Sequence, residues 1–508
     1  MFRTIADRIR RDTDYPARCY TLEIYNRILD GAFYDHLPHG FHQEMNEAQE
    51  YVPLRDRRPS VKYGLCRLLV EDAVALLFSE GHFPTPENED ETIREAMAEI
   101  VKDLRLNEVM LDATTAGSVG SIALHLRILG QKDGKSYRAF VEVNNTKYLT
   151  PTFDLTQPDV LLAITEKYKV LGKDLRAQGY FVESDEDQVW FWFARQWDDA
   201  SETWFLPWKV NDQEAIPFQI DLSRTIIHEL GFVPWVWVRN LPGKLKLLTT
   251  ANDATAGVAY SDTDGACTFA AAIDAMIEID YQLSQAGRGL KYSMDPLLML
   301  KEPAAPPDAS FTKSPSNALV VSDKGDAKML EIGGSAFTVV VEYVRHLREM
   351  ALEAAHGNRA DSQKLSTAQS GRAMELMNQS LIWLADRLRV TYGEGALLNL
   401  LKMALLAHEK FPLTVNGVAM AKIKPDVVIT LRWPAWYSPT AHDRQEMATT
   451  LKLHKEAGHL SRETSVKKLA ADYDIEDVNA ELALIAADQQ AELDALKEIA
   501  TSKISTTV

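Results

Sequence analysis

Three short groupings in this 508-residue chain put side chains where chemistry could happen. Gly134-Lys135-Ser136 looks like the end of a phosphate-binding loop, in which backbone N–H groups and a lysine hold phosphates. The preceding Gly130 sits one residue too close for that pattern, and the flanking runs are strand-like, so the segment reads as a hairpin turn. His228-Glu229 offers an imidazole beside a carboxylate but lacks the second histidine that a zinc-protease helix needs. Glu183-Ser184-Asp185-Glu186-Asp187 crowds its acids as an acid/base pair requires, yet reads as a solvated turn. No Gly-x-Ser-x-Gly elbow and no dinucleotide fingerprint is present. The expectation is a protein that is not an enzyme and carries neither cofactor nor metal.

The remaining charged loop is His356 to Lys364, between two helical patterns. The first, Val341–Ala355, has Val344, Leu347, Met350, Ala351 and Ala354 at helical spacing. The second puts Met374, Met377, Leu381, Leu384, Ala385 and Leu388 on one stripe. It pauses at Gly393-Glu394-Gly395 and resumes over Ala396–Ala407. Paired glycines weaken a helix by about 1 kcal/mol each, so Gly393 and Gly395 form either a hinge or a plain break between two helices. Two long helices joined by such a loop suit a part that reaches across a large assembly.

The rest of the chain positions this centre. Residues 1 to about 115 read as mostly helical, with helices over Arg18–Leu29, Val61–Phe78 and Thr92–Leu104. From about 119 to 240 the pattern turns to strands. Ser121–Leu129 and Tyr137–Val143 flank a hairpin turn, as do Val189–Arg195 and Thr203–Val210, and Thr225–Asn240 reads as a further extended run. Seven tryptophans here (Trp190, Trp192, Trp197, Trp204, Trp208, Trp235 and Trp237) read as a sheet core or subunit interface before a stacking platform for bases. From Ser261 a helix returns, with Phe269, Ile273, Met276, Ile277 and Leu283 on one stripe and Asp274, Glu278 and Asp280 on the surface. A small insertion rich in proline and small residues follows, Pro303 to Gly334. Asp426–Trp433 reads as a strand, and helices close the chain over Ala441–Glu456 and Val478–Ile499. No internal repeat stands out.

The formal charge of −18 and pI near 5.2 argue against a protein that grips nucleic acid by its phosphates. Cys19, Cys66 and Cys267 are odd in number and far apart, which supports no disulfide framework. Met1–Asp12 has no signal-peptide pattern, and no run approaches the roughly 18 apolar residues of a membrane span. An intracellular protein is expected.

Three stretches, in order, resemble the portal proteins of tailed bacteriophages. Gly231-Phe-Val-Pro-Trp-Val-Trp-Val-Arg-Asn240 is similar to the strand that precedes that family's stem helix. Ser370-Gly371-Arg372-Ala373-Met374 is similar to the opening of its long helix. Gly458-His-Leu-Ser461-Arg-Glu463-Thr464, with Asp474-Ile-Glu-Asp477 and Glu481 beyond, is similar to its C-terminal Gly-x-x-Ser-x-Glu-Thr and acidic helix. The resemblance covers roughly the last 280 residues. It departs from the family at Ala368-Gln369, where a proline often stands, and at Asp488, where Glu is common.

The resemblance implies an α+β, mainly helical portal fold that forms a dodecameric ring. It assigns 1–260 to the wing, 261–289 and 336–356 to two stem helices and 290–335 to the clip. Residues 357–369 become the tunnel loop, 370–440 the long wing helix and strand, and 441–508 the crown. The implied function is a channel at one capsid vertex, where terminase packages DNA and through which DNA leaves at ejection, with roles in head-tail connection and capsid nucleation. Implied partners are further copies of the chain, the terminase large subunit, a head-tail adaptor, and the major capsid and scaffolding proteins. Double-stranded DNA passes without sequence specificity, and no membrane is involved. Assembly in the host cytoplasm and residence in the virion follow. On that mapping Asn358, Arg359, Asp361, Gln363 and Lys364 line the channel, with Arg359 and Lys364 either touching phosphates briefly or standing as an ordinary solvated loop pair, while Asp274, Glu278 and Asp280 make an acidic stem surface. An enzyme whose site cannot be read from sequence, or another virion or tail-assembly protein, are the alternatives.

Overall fold

The computed structural model describes residues 1–505 apart from 80, 131–135, 158, 211, 213, 243–262, 295–296, 304–320, 331–334, 358–370, 416–417, 421–426, 438–439, 471–474 and 476–477. The fold is α+β, with about 49% helix and 20% strand, so the mainly helical class expected from sequence holds. The chain divides into two compact units, Met1–Arg359 with Asn378–Trp436, and Ala360–Met377 with Tyr437–Val508.

Helices α1 (Ala17–Leu29), α2 (Leu65–Phe78), α3 (Glu91–Asp103) and α4 (Leu106–Gly117) open the larger unit. The Asp90 side chain caps α3 by accepting from the Thr92 N–H, where the sequence places acids near the positive helix end. Helix α2 is apolar on two sides because it lies between two cores. Its Leu65, Cys66, Leu69 and Val70 join a cluster with α1, while Ala73, Leu77 and Phe78 join the central one.

Two sheets follow. Strands β1 (Ser121–Gly130) and β2 (Tyr137–Asn145) form the expected antiparallel hairpin; its turn, with Gly134 and Lys135, lies outside the described residues. Next come β3 (Leu149–Phe153), β4 (Leu161–Leu171), β5 (Trp190–Trp197), β6 (Ser201–Trp204), β7 (Trp208–Lys209), β8 (Ile226–Ile227) and β9 (Trp235–Arg239). One sheet runs β9-β1-β2. The other runs β8-β6-β5-β4-β3, with β7 also on β5. The run Thr225–Asn240 is therefore two strands in different sheets. A left-handed Gly231 (φ +78°) and Pro234 break it between them. Trp192, Trp197 and Trp235 are buried, in line with a sheet core, whereas Trp190 is exposed.

Helix α5 (Ile273–Met294), the antiparallel ribbon β10 (Leu297–Pro303) and β11 (Val321–Leu330), and helix α6 (Ser335–Ala354) come next. Helix α7 (Gly371–Met377) belongs to the smaller unit. Helix α8 (Gln379–Leu388) leads through a π-helical stretch, Arg389–Leu397, into α9 (Leu398–Lys410). The stripe Leu381, Leu384, Ala385 and Leu388 is buried in the central core. Thr430–Arg432 pairs with Thr85–Glu87.

In the smaller unit, α10 (Ala441–Glu456) starts with a capping box between Thr440 and Asp443, and α11 (Arg462–Ala470) and α12 (Val478–Ser505) follow. Gly458 (φ +75°) ends α10, and the Ser461 hydroxyl accepts from the Thr464 N–H to start α11. The Gly458–Thr464 stretch is thus a helix stop and a helix start set side by side.

Candidate functional site

The helix–ribbon–helix segment Ile273–Ala354 is the candidate site, and three groups seat it on the larger unit. The first is the approach chain, residues 263–268. Gly265 and Thr268 donate their N–H groups to Gly120 and Ser118, and Ala266 to Leu241. A Cβ on Gly265 would overlap the Leu241 carbonyl, so glycine alone permits this contact. These bonds occupy the backbone, and the helix begins at Ile273 and not at Ser261, where the sequence placed its start.

The second group centres on Arg18. Its guanidinium forks onto the Asp264 carboxylate with two bonds of 2.7 Å and also donates to the Thr146 and Leu149 carbonyls. Ser121 donates to the same carboxylate at 2.5 Å.

The third group corrects an expectation. Asp280 is not on an acidic surface but 1% exposed. Its carboxylate accepts from the Tyr63 N–H at 2.7 Å and the Tyr34 hydroxyl at 2.9 Å. One turn on, Ser284 donates to the Asp280 carbonyl and accepts from the Val61 N–H. Burial pushes the Asp280 carboxyl up to about 6, and the two hydrogen bonds only partly offset this. The signal was in the spacing: Asp280 lies three and four residues beyond Ile277 and Met276, on the buried stripe itself. Asp274 is exposed as expected, and Glu278 is half-buried and accepts from Gln282. Arg288 and Lys291 share the helix, and Arg288 pairs with Glu44, so the surface is of mixed charge.

On α6 and just past its end, Ala351 and Ala355 are buried, with Val344, Leu347 and Leu352 packed against the same core. Met350 is exposed, and so is Ala354. The expected channel residues Asn358, Arg359, Asp361, Gln363 and Lys364 lie outside the described residues.

Gly393 and Gly395 differ from each other. Gly393 is buried, and a Cβ there would overlap the Trp433 indole, whereas Gly395 has only the Val390 carbonyl near it, at 3.6 Å. The chain stays helical through both, so no plain break exists. Beside them Arg389 stacks on Trp433 and Trp436, its guanidinium 4.6 Å and 3.1 Å from the ring centres.

The sequence-level candidates for catalysis resolve differently. Glu186 and Asp187 pair with Lys209 and Arg176, which makes that acidic turn a structural latch. His228 and His125, distant in sequence, line one cleft of about 280 Å³ between the two sheets. His125 stacks on Trp235 with ring centres 4.2 Å apart, and burial drives its pKa down to about 3. It is therefore neutral near pH 7 and fills space as an aromatic ring. Among the described residues, no three His, Cys, Asp or Glu side chains converge to hold a metal. No described helix is long and apolar enough to cross a membrane. No known family model matches the chain, and no curated protein matches it.

Proposed function

We propose that this chain is the subunit of a tailed-bacteriophage portal, a ring through which terminase drives DNA into the capsid and DNA later leaves. One observation carries the reading. A helix, a ribbon and a second helix follow in order between Ile273 and Ala354, and Asp280, Ser284 and the 263–268 chain seat the first helix. A long helical rod, Gln379–Lys410, lies beyond the 358–370 segment. Stem helices, a clip at their tip and a long helix after a tunnel loop have this chain order in the family that the sequence resembles.

Two further facts support it. The stretch that ends at Asn240, one of the three that carry the resemblance, is tied directly to the long rod through the Tyr392 hydroxyl. The net charge of −18 suits a conduit, since every phosphate held by Lys or Arg adds an attraction that resists sliding. In this reading the ring is a docking and conducting part, and ATP hydrolysis belongs to the terminase.

The test is negative-stain electron microscopy of the purified full chain, with native mass determination on the same sample. Rings pierced by a central channel, at or near twelvefold symmetry, are the expected result. A protein that stays monomeric across salt and concentration, or turns over a substrate alone, overturns the reading.

A further inference from the structure

The two edges of the β8-β6-β5-β4-β3 sheet carry unlike apolar features. At the β3 edge, Leu155 stands 98% exposed in the loop between β3 and β4. That loop is not slack. The Asp154 carboxylate accepts from the Thr156 N–H and hydroxyl, both at 2.6 Å, and from the Gln157 N–H at 3.3 Å. A leucine held out in water on a braced turn is a preorganised knob, and Leu162 is exposed close by.

The β8 edge is the opposite kind of surface. Ile226 and Ile227 are exposed on it, Ile220 is exposed where it bridges Phe205, and Ile216, Phe218 and Leu222 are exposed in the chain that leads to it. Together they leave on the order of 600 Å² of apolar surface in water, at the upper end of the largest patch of a typical monomer and approaching the roughly 800 Å² on one side of a standard interface. Ile226 and Ile227 also form one wall of the 280 Å³ cleft, opposite Leu129, Tyr137 and Phe411. That space exceeds the volume of a leucine side chain several-fold, so a knob with its flanking backbone can enter.

We infer that the knob of one copy seats in the cleft of the next, Leu155 against Ile226 and Ile227, as a head-to-tail contact between neighbouring subunits. The occupant is a second copy because knob and cleft sit at opposite edges of one sheet. A subunit with two different, mutually complementary faces builds a heterologous contact, which closes into a ring when the rotation allows. The inference rests on the ring reading and adds the surface that makes the ring.

The test is cysteine cross-linking of the full chain carrying Leu155→Cys with Ile227→Cys, oxidised and run on a non-reducing gel beside native mass. The double variant is expected to give a ladder of covalent oligomers, while each single variant stays uncross-linked. Cys19 and Cys66 are buried and the unsubstituted protein controls for Cys267. Rings by mass without a ladder overturn this contact and leave the portal reading standing. Dimers from Ile227→Cys alone show edge-to-edge self-pairing and overturn it too. A monomer by mass overturns both. In parallel, Leu155→Asp is expected to abolish ring formation with an unchanged Tm, since that side chain touches water in the isolated chain; intact rings from this variant overturn the contact.

Discussion

The Tyr392 hydroxyl donates to the Asn240 amide oxygen across 3.1 Å and 152 residues of sequence. Tyr392 is fully buried in the π-helical stretch, and Asn240 directly follows β9. The Asn240 amide nitrogen in turn donates to the Ala266 carbonyl and the Thr268 hydroxyl, both at 2.8 Å. One side chain thereby joins the three-stranded sheet, the long rod and the approach to α5.

Asn240→Leu leaves four polar partners, Tyr392, Ser118, Ala266 and Thr268, without that amide and is expected to cost about 3 kcal/mol. Tyr392→Phe removes a single donor and is expected to cost about 1–2 kcal/mol. The double variant should lose less than the sum, because both changes break one shared bond. Urea unfolding of the four proteins measures this; strict additivity would refute the coupling.

Asp280 makes stability depend on pH in a defined direction. Its folded carboxyl titrates at about 6, while the unfolded chain ionises near 4. The folded state keeps its proton longer, so the contribution is fully present below about pH 4 and is lost as pH rises through about 6. The change is on the order of 2 kcal/mol. Asp280→Asn should abolish this component. Subtracting its pH–stability curve from that of the unsubstituted protein isolates the effect, and a flat difference from pH 4 to 7 would sink the prediction.

The two glycines of the rod should respond in opposite ways. Gly393→Ala forces a methyl into the Trp433 ring and is expected to destabilise by about 1–3 kcal/mol. Gly395→Ala meets only the Val390 carbonyl, at an ordinary contact distance of 3.6 Å in a helical backbone, and is expected to be neutral or stabilising by up to about 1 kcal/mol. Equal losses of Tm at both positions would instead favour a hinge that needs the pair.

Arg18→Lys keeps the charge but not the fork. The four donor bonds to Asp264, Thr146 and Leu149 cannot be reproduced by one ammonium group. A loss of about 1–3 kcal/mol is expected, with faster amide exchange at the start of α5. Exchange confined to α1, with α5 unchanged, would show that the fork does not seat that helix.

What the sequence determined by itself was local. Apolar periodicity located α2, α3, α8 and α9 to within a few residues, and the turn between β1 and β2 set their pairing, because spacing, caps and turn residues act over less than about twelve positions. The Gly458–Ser461 stop and start is equally local and could be quoted directly from the residues. Only the tertiary structure decided the rest. It split Thr225–Asn240 between two sheets, delayed α5 to Ile273 by spending the 263–268 backbone on strand ends, and buried Asp280 against Tyr34 and Tyr63. It also brought His125 beside His228 and set Leu155 and Ile227 at opposite edges of one sheet. In each case the deciding partner lies tens to hundreds of residues away, and burial and hydrogen bonding at that range depend on the packing of the whole chain and not on any window of it.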